Sequence, residues 1–269
     1  MTFGLDFARM RRADSGPALV DPATLPLTMW QDARDFTPTT FPATQLWPGR
    51  SSAGPSGARG YTRKAASTSV TANPTASTLG GGAAPAVQFA NASGVLVDLS
   101  APTVPLVGSA VFAKTPGWFF HFVGSFVAQS GTNHLLPQPF GPTGGLGVFL
   151  VQNGANLVVQ VFDGSGFKSV SLPSAAGAHV QVQARHGLTA DLLEARIGSG
   201  AWVTLAGVSQ SGLGLSDAMQ IAASQIGYSI PDVGWSGKKQ ELIAGQYPAG
   251  NTTLDALLVR GTATWGAPV

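Results

Sequence analysis

Charge is what this sequence has least of. Only 10% of its 269 residues are Asp, Glu, Lys or Arg, against roughly 25% in an average soluble protein. Glutamate occurs just at Glu194 and Glu241. Helical enzymes draw on Glu, Lys and Arg for helix propensity, so the shortage argues against a mainly helical fold. Cysteine is absent, which excludes disulfides, thiolate metal sites and cysteine nucleophiles. No run of about 18 apolar residues occurs, so membrane insertion is not expected. The start, Met1 to Arg12, lacks the apolar core of a signal peptide. Nucleic-acid binding needs clustered Lys and Arg. Here the formal net charge is +2, and the basic residues gather only at Arg9, Arg11 and Arg12 and later at Arg59, Arg63 and Lys64. Nucleic acid is therefore not an expected partner.

What is present is a polar but un-ionised chain. Thirty-five glycines and nineteen prolines punctuate it, as expected of many short strands joined by turns. Trp118–Val123 and Val95–Leu99 are β-branched and aromatic runs bounded by Gly or Pro. Gly147–Val151 and Leu157–Phe162 flank Asn153-Gly154, which supplies the positive-φ residues of a tight hairpin turn. Asp163–Gly166 then turns the chain into Phe167–Leu172. Val180–Arg185 alternates with period two and predicts a half-buried strand. Asp191–Ile197 and Ala201–Leu205 predict a further hairpin about Gly198-Ser199-Gly200. Helix is expected only at Thr252–Trp265 and near the start. This rhythm predicts an all-β sandwich or barrel.

Two segments stand apart. Residues 1–26 predict a short N-terminal arm ahead of a domain over 27–269. Residues 48–85, poor in large apolar side chains, predict a long irregular loop, with irregular strands at a sandwich edge as the alternative.

Three motifs carry a family resemblance. Leu27-Thr28-Met29-Trp30-Gln31-Asp32-Ala33-Arg34-Asp35 resembles the opening strand of concanavalin A-like (LamG-type) lectin domains in bacteriophage structural proteins. Gly237–Ile243, with Glu241-Leu242-Ile243, resembles their late strand, and Leu254–Gly266, ending in Trp265-Gly266, their closing segment. The resemblance implies a two-sheet antiparallel jelly roll on a phage-type particle, as a spike, fibre or tail appendage. An arm plus one lectin-like head is also similar to the head spikes of gene transfer agents. The implied partners are a capsid or base protein and a cell-surface polysaccharide. The implied place is the particle surface, after folding in the bacterial cytoplasm and release by lysis. Fibres are often trimeric, yet no heptads enforce this, and homo-oligomerisation stays open.

Catalysis finds little support among the residues. Gly234-Trp235-Ser236-Gly237-Lys238 misses the Gly-x-Ser-x-Gly nucleophile pattern at its last position. Glycoside hydrolysis needs two carboxyls about 5–10 Å apart, and no Glu-x-Asp-x-Glu triplet occurs. Asp191 and Glu194 would face opposite sides of a strand, and only a pair from distant strands, such as Asp163 with Asp232, stays open. The four histidines are scattered, no Asp-x-Asp loop announces calcium, and neither metal nor cofactor is expected. His121, inside an apolar strand, reads as a hydrogen-bonded core or face residue rather than a ligand. Trp30, Trp202 and Trp265 read as core.

Sugar recognition needs an aromatic face for the ring and amide, carboxylate or backbone groups for the hydroxyls. Trp235, Asp232 and Tyr228 in one loop, with Asn133 and His134 in another, are the candidates. Packing of Trp235 over a sheet edge stands beside that reading. In the arm, Phe3, Leu5 and Phe7 with Arg9, Arg11 and Arg12 would dock onto a particle protein, since so apolar a segment makes a poor solvated tail. A frayed terminus is the alternative.

Overall fold

The computed structural model describes residues 19–25, 27–38, 46–47, 50, 61–63, 74–89, 96–97, 117–127, 132–134, 148–162, 166–186, 191–208, 236–246 and 250–269. In chain order its strands are β1 (Leu27–Asp32), β2 (Leu46–Trp47), β3 (Tyr61–Arg63), β4 (Thr75–Leu79), β5 (Ala84–Phe89), β6 (Leu96–Val97), β7 (Trp118–Phe126), β8 (Thr132–His134), β9 (Val148–Asn153), β10 (Asn156–Phe162), β11 (Phe167–Pro173), β12 (Val180–His186), β13 (Leu192–Ile197), β14 (Val203–Ala206) and β15 (Gly237–Gln246). The α-helix of the described residues, α1 (Thr252–Trp265), follows.

The large sheet runs β14-β13-β12-β7-β15-β5-β4, and the second half of β15 pairs with β1 instead of β5. A four-stranded sheet, β11-β10-β9-β8, faces it, and β2-β3-β6 form a third. Neighbouring strands are antiparallel throughout. The architecture is the expected antiparallel β-sandwich of jelly-roll type, with one helix.

Between the sheets, Phe120, Phe122, Val182 and Leu242 meet Leu157, Val159, Val161, Val170 and Leu172 in one buried cluster. The other face of the large sheet is covered by α1. There Trp30, Phe119 and Ile243 pack against Leu254 and Leu257. This second cover explains a departure from the sequence reading. The alternation in Val180–Arg185 predicts a strand with one wet face, yet every residue of β12 is buried. Its polar positions point at the helix. Gln181 Nε2 lies within 3.0–3.3 Å of Leu258 O, Thr262 Oγ1, Ala267 O and Pro268 O, and Gln183 Nε2 donates to Leu254 O at 2.6 Å. Side-chain amides thus dock the helix through its backbone carbonyls, which retain a second lone pair.

So close an approach requires glycine at two places. A Cβ on Gly261, in α1, would overlap the Gln181 amide, and one on Gly124, in β7, would overlap the backbone carbonyl of Lys238. Gly124→Ala is expected to cost about 1–3 kcal/mol, as overpacked cores do, because strand backbone cannot yield as a side chain can. Gly81→Ala, where nothing lies within 4 Å, should be close to neutral. Urea unfolding of the two variants side by side checks this.

Other expectations are corrected locally. In 48–85 the edge-strand alternative describes Thr75–Leu79, which pairs with Ala84–Phe89 in a hairpin and forms the sheet's edge as β4. Its Thr, Ser and Ala residues suit a half-wet edge strand, which low apolar content disguises as a loop. Within 1–26, Pro22 is buried, and Val20 and Leu25 pack on the Trp30–Phe119 cluster, so residues 20–25 share the domain's packing. In the β9–β10 hairpin the two loop residues are Gly154 and Ala155. Asn153 closes the ladder opposite Asn156, and only Gly154 has positive φ, +58°. Trp202 sits ahead of β14 and is half-buried at the margin of the core: it packs against the Trp30–Phe119 cluster, and two guanidinium groups stack over its ring.

Candidate functional site

Of the residues singled out for sugar contact, Tyr228, Asp232 and Trp235 lie outside the described residues, as do Asp163 and the arm positions Phe3, Leu5, Phe7, Arg9, Arg11 and Arg12. Asn133 and His134 lie on β8, the edge strand of the small sheet. The backbone ladder sets Asn133 opposite Gln152 and His134 opposite Val151. Ser236, next in sequence to Trp235, is buried, and its carbonyl accepts from Val127 N at 3.1 Å.

The most developed polar arrangement is one that sequence reasoning missed. The three resemblance motifs converge on a single carboxylate. Glu241 is wholly buried. Its Oε1 accepts from Trp30 Nε1 at 2.8 Å, and its Oε2 accepts from Trp265 Nε1 at 3.0 Å and from Arg260 Nη1. Burial pushes this carboxyl above its ordinary range, while Arg260 and the two indole donors pull against that shift. Directly opposite on β1 stands Asp32, also wholly buried. It holds Arg34 at Nε (2.8 Å) and backbone N (2.9 Å), and Arg50 Nη1 at 2.8 Å.

Two acidic residues facing each other across neighbouring strands sit about 5 Å apart at Cα, and paired carboxyl groups at close range are also what a glycosidase uses. Here every carboxylate oxygen already accepts from Arg or Trp, and neither side chain reaches solvent. The pair acts as a clasp: it ties β1, β15 and the end of α1 together. The signal was present in sequence as Trp-x-Asp, Glu-Leu-Ile and Trp-Gly, but nothing in one dimension says that the three are partners.

A second buried network lies beside it. Gln183 Oε1 accepts from Arg196 Nε (3.0 Å) and Nη2 (2.7 Å), which fixes the amide and turns its Nε2 toward His121 Nδ1 at 3.1 Å. His121 Nδ1 is therefore the acceptor, and the ring proton sits on Nε2, which has no hydrogen-bond partner among the described residues. Burial, reinforced by Arg260 and Arg196, pushes the imidazole down to about 3. His121 is thus a neutral core residue, as its place in an apolar strand suggests. Arg185 and Arg196 stack over Trp202 at 4.1 and 4.3 Å from its ring centre, and they pair with Glu194 and Asp255. Lys239, buried over the Phe89 ring at 5.6 Å, is lowered by desolvation to about 7. Among the described residues no three His, Asp or Glu side chains converge as a metal site requires, and no helix is long and apolar enough to cross a membrane.

No known family's sequence profile matches the chain, and no curated protein does. Solved structures do resemble it in fold. The botulinum neurotoxin serotype D/C VPI 5993 binding domain superimposes with a TM-score of 0.56 and 9% identity, over 90% of this chain and 55% of that one. Botulinum neurotoxin type C, whose cell entry depends on interaction with two ganglioside molecules, gives 0.50 and 7%, over 70% and 45%. The CBM40 of a Ruminococcus gnavus IT-sialidase, bound to α2,3 sialyllactose, gives 0.43 and 12%, over 53% and 82%. This chain therefore spans about half of the toxin structures it matches. At such identities the likeness is one of fold.

Proposed function

We propose that this chain is a spike or fibre head of a phage-type particle, binding cell-surface polysaccharide through its sandwich and the particle through its N-terminal arm, without catalysis. The observation that carries the reading is where the charges are. Arg34, Arg50, Arg185, Arg196 and Arg260 are all engaged with carboxylates around the clasp and the helix. The described exterior is mostly small and un-ionised, made of Ala, Gly, Thr, Ser, Asn and Pro with single apolar side chains such as Val127 and Phe167 and few charges. Such a surface offers hydroxyl and amide partners and little to steer an ion. The fold is shared with a toxin whose cell entry depends on gangliosides, which supports a glycan as the partner class. The phage-type setting rests on the motifs around Trp30, Glu241 and Trp265.

The full chain on an array of bacterial capsular and other surface polysaccharides is expected to retain specific glycans. Trp235→Ala, in the segment that sequence chemistry favours, should weaken that retention about tenfold, as loss of one anchoring aromatic does, with the circular dichroism unchanged. Retention of no glycan would leave a purely structural particle component. Release of reducing ends from a bound polysaccharide would make the chain an enzyme.

A further inference from the structure

We infer that the glycan lies on the outward face of the small sheet, at its β10–β11 side, and that this face takes a neutral, hydroxyl-rich chain. The inference rests on the proposed function and assigns it a surface. Alternation sorts these two strands except at Val158, which is buried although it stands in the outward row. Leu157, Val159, Val161, Val170 and Leu172 are buried in the core, so the intervening positions Gln160, Ser169 and Ser171 belong to the opposite face. The ladder sets Gln160 beside Ser169 and Val158 beside Ser171, and Gln160 Nε2 donates to Ser169 Oγ at 3.1 Å. At the end of the same ladder, Phe167 keeps 52% of its surface in water. An aromatic ring left half-wet beside an amide and two hydroxyls is an unfavourable solvent surface but a suitable sugar surface. The ring meets the C–H face, and the polar groups meet hydroxyls.

The ligand's charge follows from the same strands. Lys168 is the one charged residue in β10 and β11. Recognition of sialylated or uronic chains gains from charge-assisted contacts to several basic groups, which these strands do not supply. As an edge strand β11 is guarded by Lys168 and Pro173, and between them it presents the exposed hydroxyls of Ser169 and Ser171. The backbone register extends the row across the sheet. Ser171 lies opposite Val158, Val158 opposite Val151, and Val151 opposite His134. His134, chosen from sequence for sugar contact, thus shares a cross-strand row with Ser171.

The test uses the full chain on an array holding neutral, uronic and sialylated polysaccharides, with Phe167→Ala and Ser171→Lys as variants. Expected are retention of neutral glycans over acidic ones and a Kd about tenfold weaker or more for each variant, with unchanged unfolding midpoints. Unaltered binding by both variants, or binding confined to acidic glycans, would overturn the inference while leaving glycan attachment standing. Retention of no glycan by the wild-type chain would remove the proposed function and the inference with it.

Discussion

Glu241→Leu should destabilise the domain by about 3–5 kcal/mol, the cost of removing one partner from a buried ion pair. The carboxylate is the common acceptor for two indole N–H groups and one guanidinium. Its loss would leave a buried cation and two buried donors without an acceptor, and each such donor costs on the order of 1–3 kcal/mol. At about 2–4 °C per kcal/mol for a domain of this size, the melting temperature should fall by about 10 °C. Glu241→Gln should recover part of that loss, because one amide oxygen can still accept from one indole. Asp255→Ala is the comparison, since its side chain is 57% exposed and the loss there should stay under about 1 kcal/mol. Thermal unfolding followed by tryptophan fluorescence reads all three, and Trp30 and Trp265 serve as local reporters. Equal losses at Glu241 and Asp255 would show that the clasp does not organise this side of the sheet.

That clasp marks the boundary of what could be read without coordinates. The strands were legible because β7, β10, β12 and β13 obey period two or run apolar between Gly and Pro, and α1 because Leu254, Leu257 and Leu258 recur at helical spacing. What was not legible is which polar residues are interior. Gln181, Gln183 and Arg185 have the pattern of a solvent face, and they are buried only because α1, some 70 residues later, lies over them. Polarity in a strand reports that hydrogen bonds will be made, not with whom. The same reasoning left β4 undecided between two readings, because small polar residues suit both an edge strand and a loop.

The candidate site divides in the same way. Aromatic and amide residues in loops could be picked out by type, which gave Trp235, Asp232, Tyr228, Asn133 and His134. The face built by Gln160, Ser169, Ser171 and Phe167 could not, because it exists only when β10 and β11 lie side by side in one register. Single-strand chemistry is readable from sequence, whereas cross-strand chemistry has to wait for the ladder.

Stability is expected to fall steeply in mild acid through His121. In the folded chain its pKa is about 3, and in the unfolded chain it returns to the ordinary 6.5 or so. Below that value the unfolded chain takes up a proton that the folded chain refuses. The contribution is therefore complete above about pH 6.5 and is lost as pH falls toward 3, at about 1.4 kcal/mol per pH unit and up to about 5 kcal/mol in all. The fixed Nδ1 acceptor role and the nearby Arg196 and Arg260 both oppose protonation in place. His121→Phe removes the titration and leaves the other acid-sensitive groups intact. Its free energy of unfolding, measured by urea at half-unit steps, should run flatter than wild type by one proton between pH 6 and 4, whatever its offset at pH 7 from the acceptor lost to Gln183. Parallel profiles would mean that the imidazole gains its proton without leaving the fold, so the helix would have to move away from β7 and β12 to admit the charge.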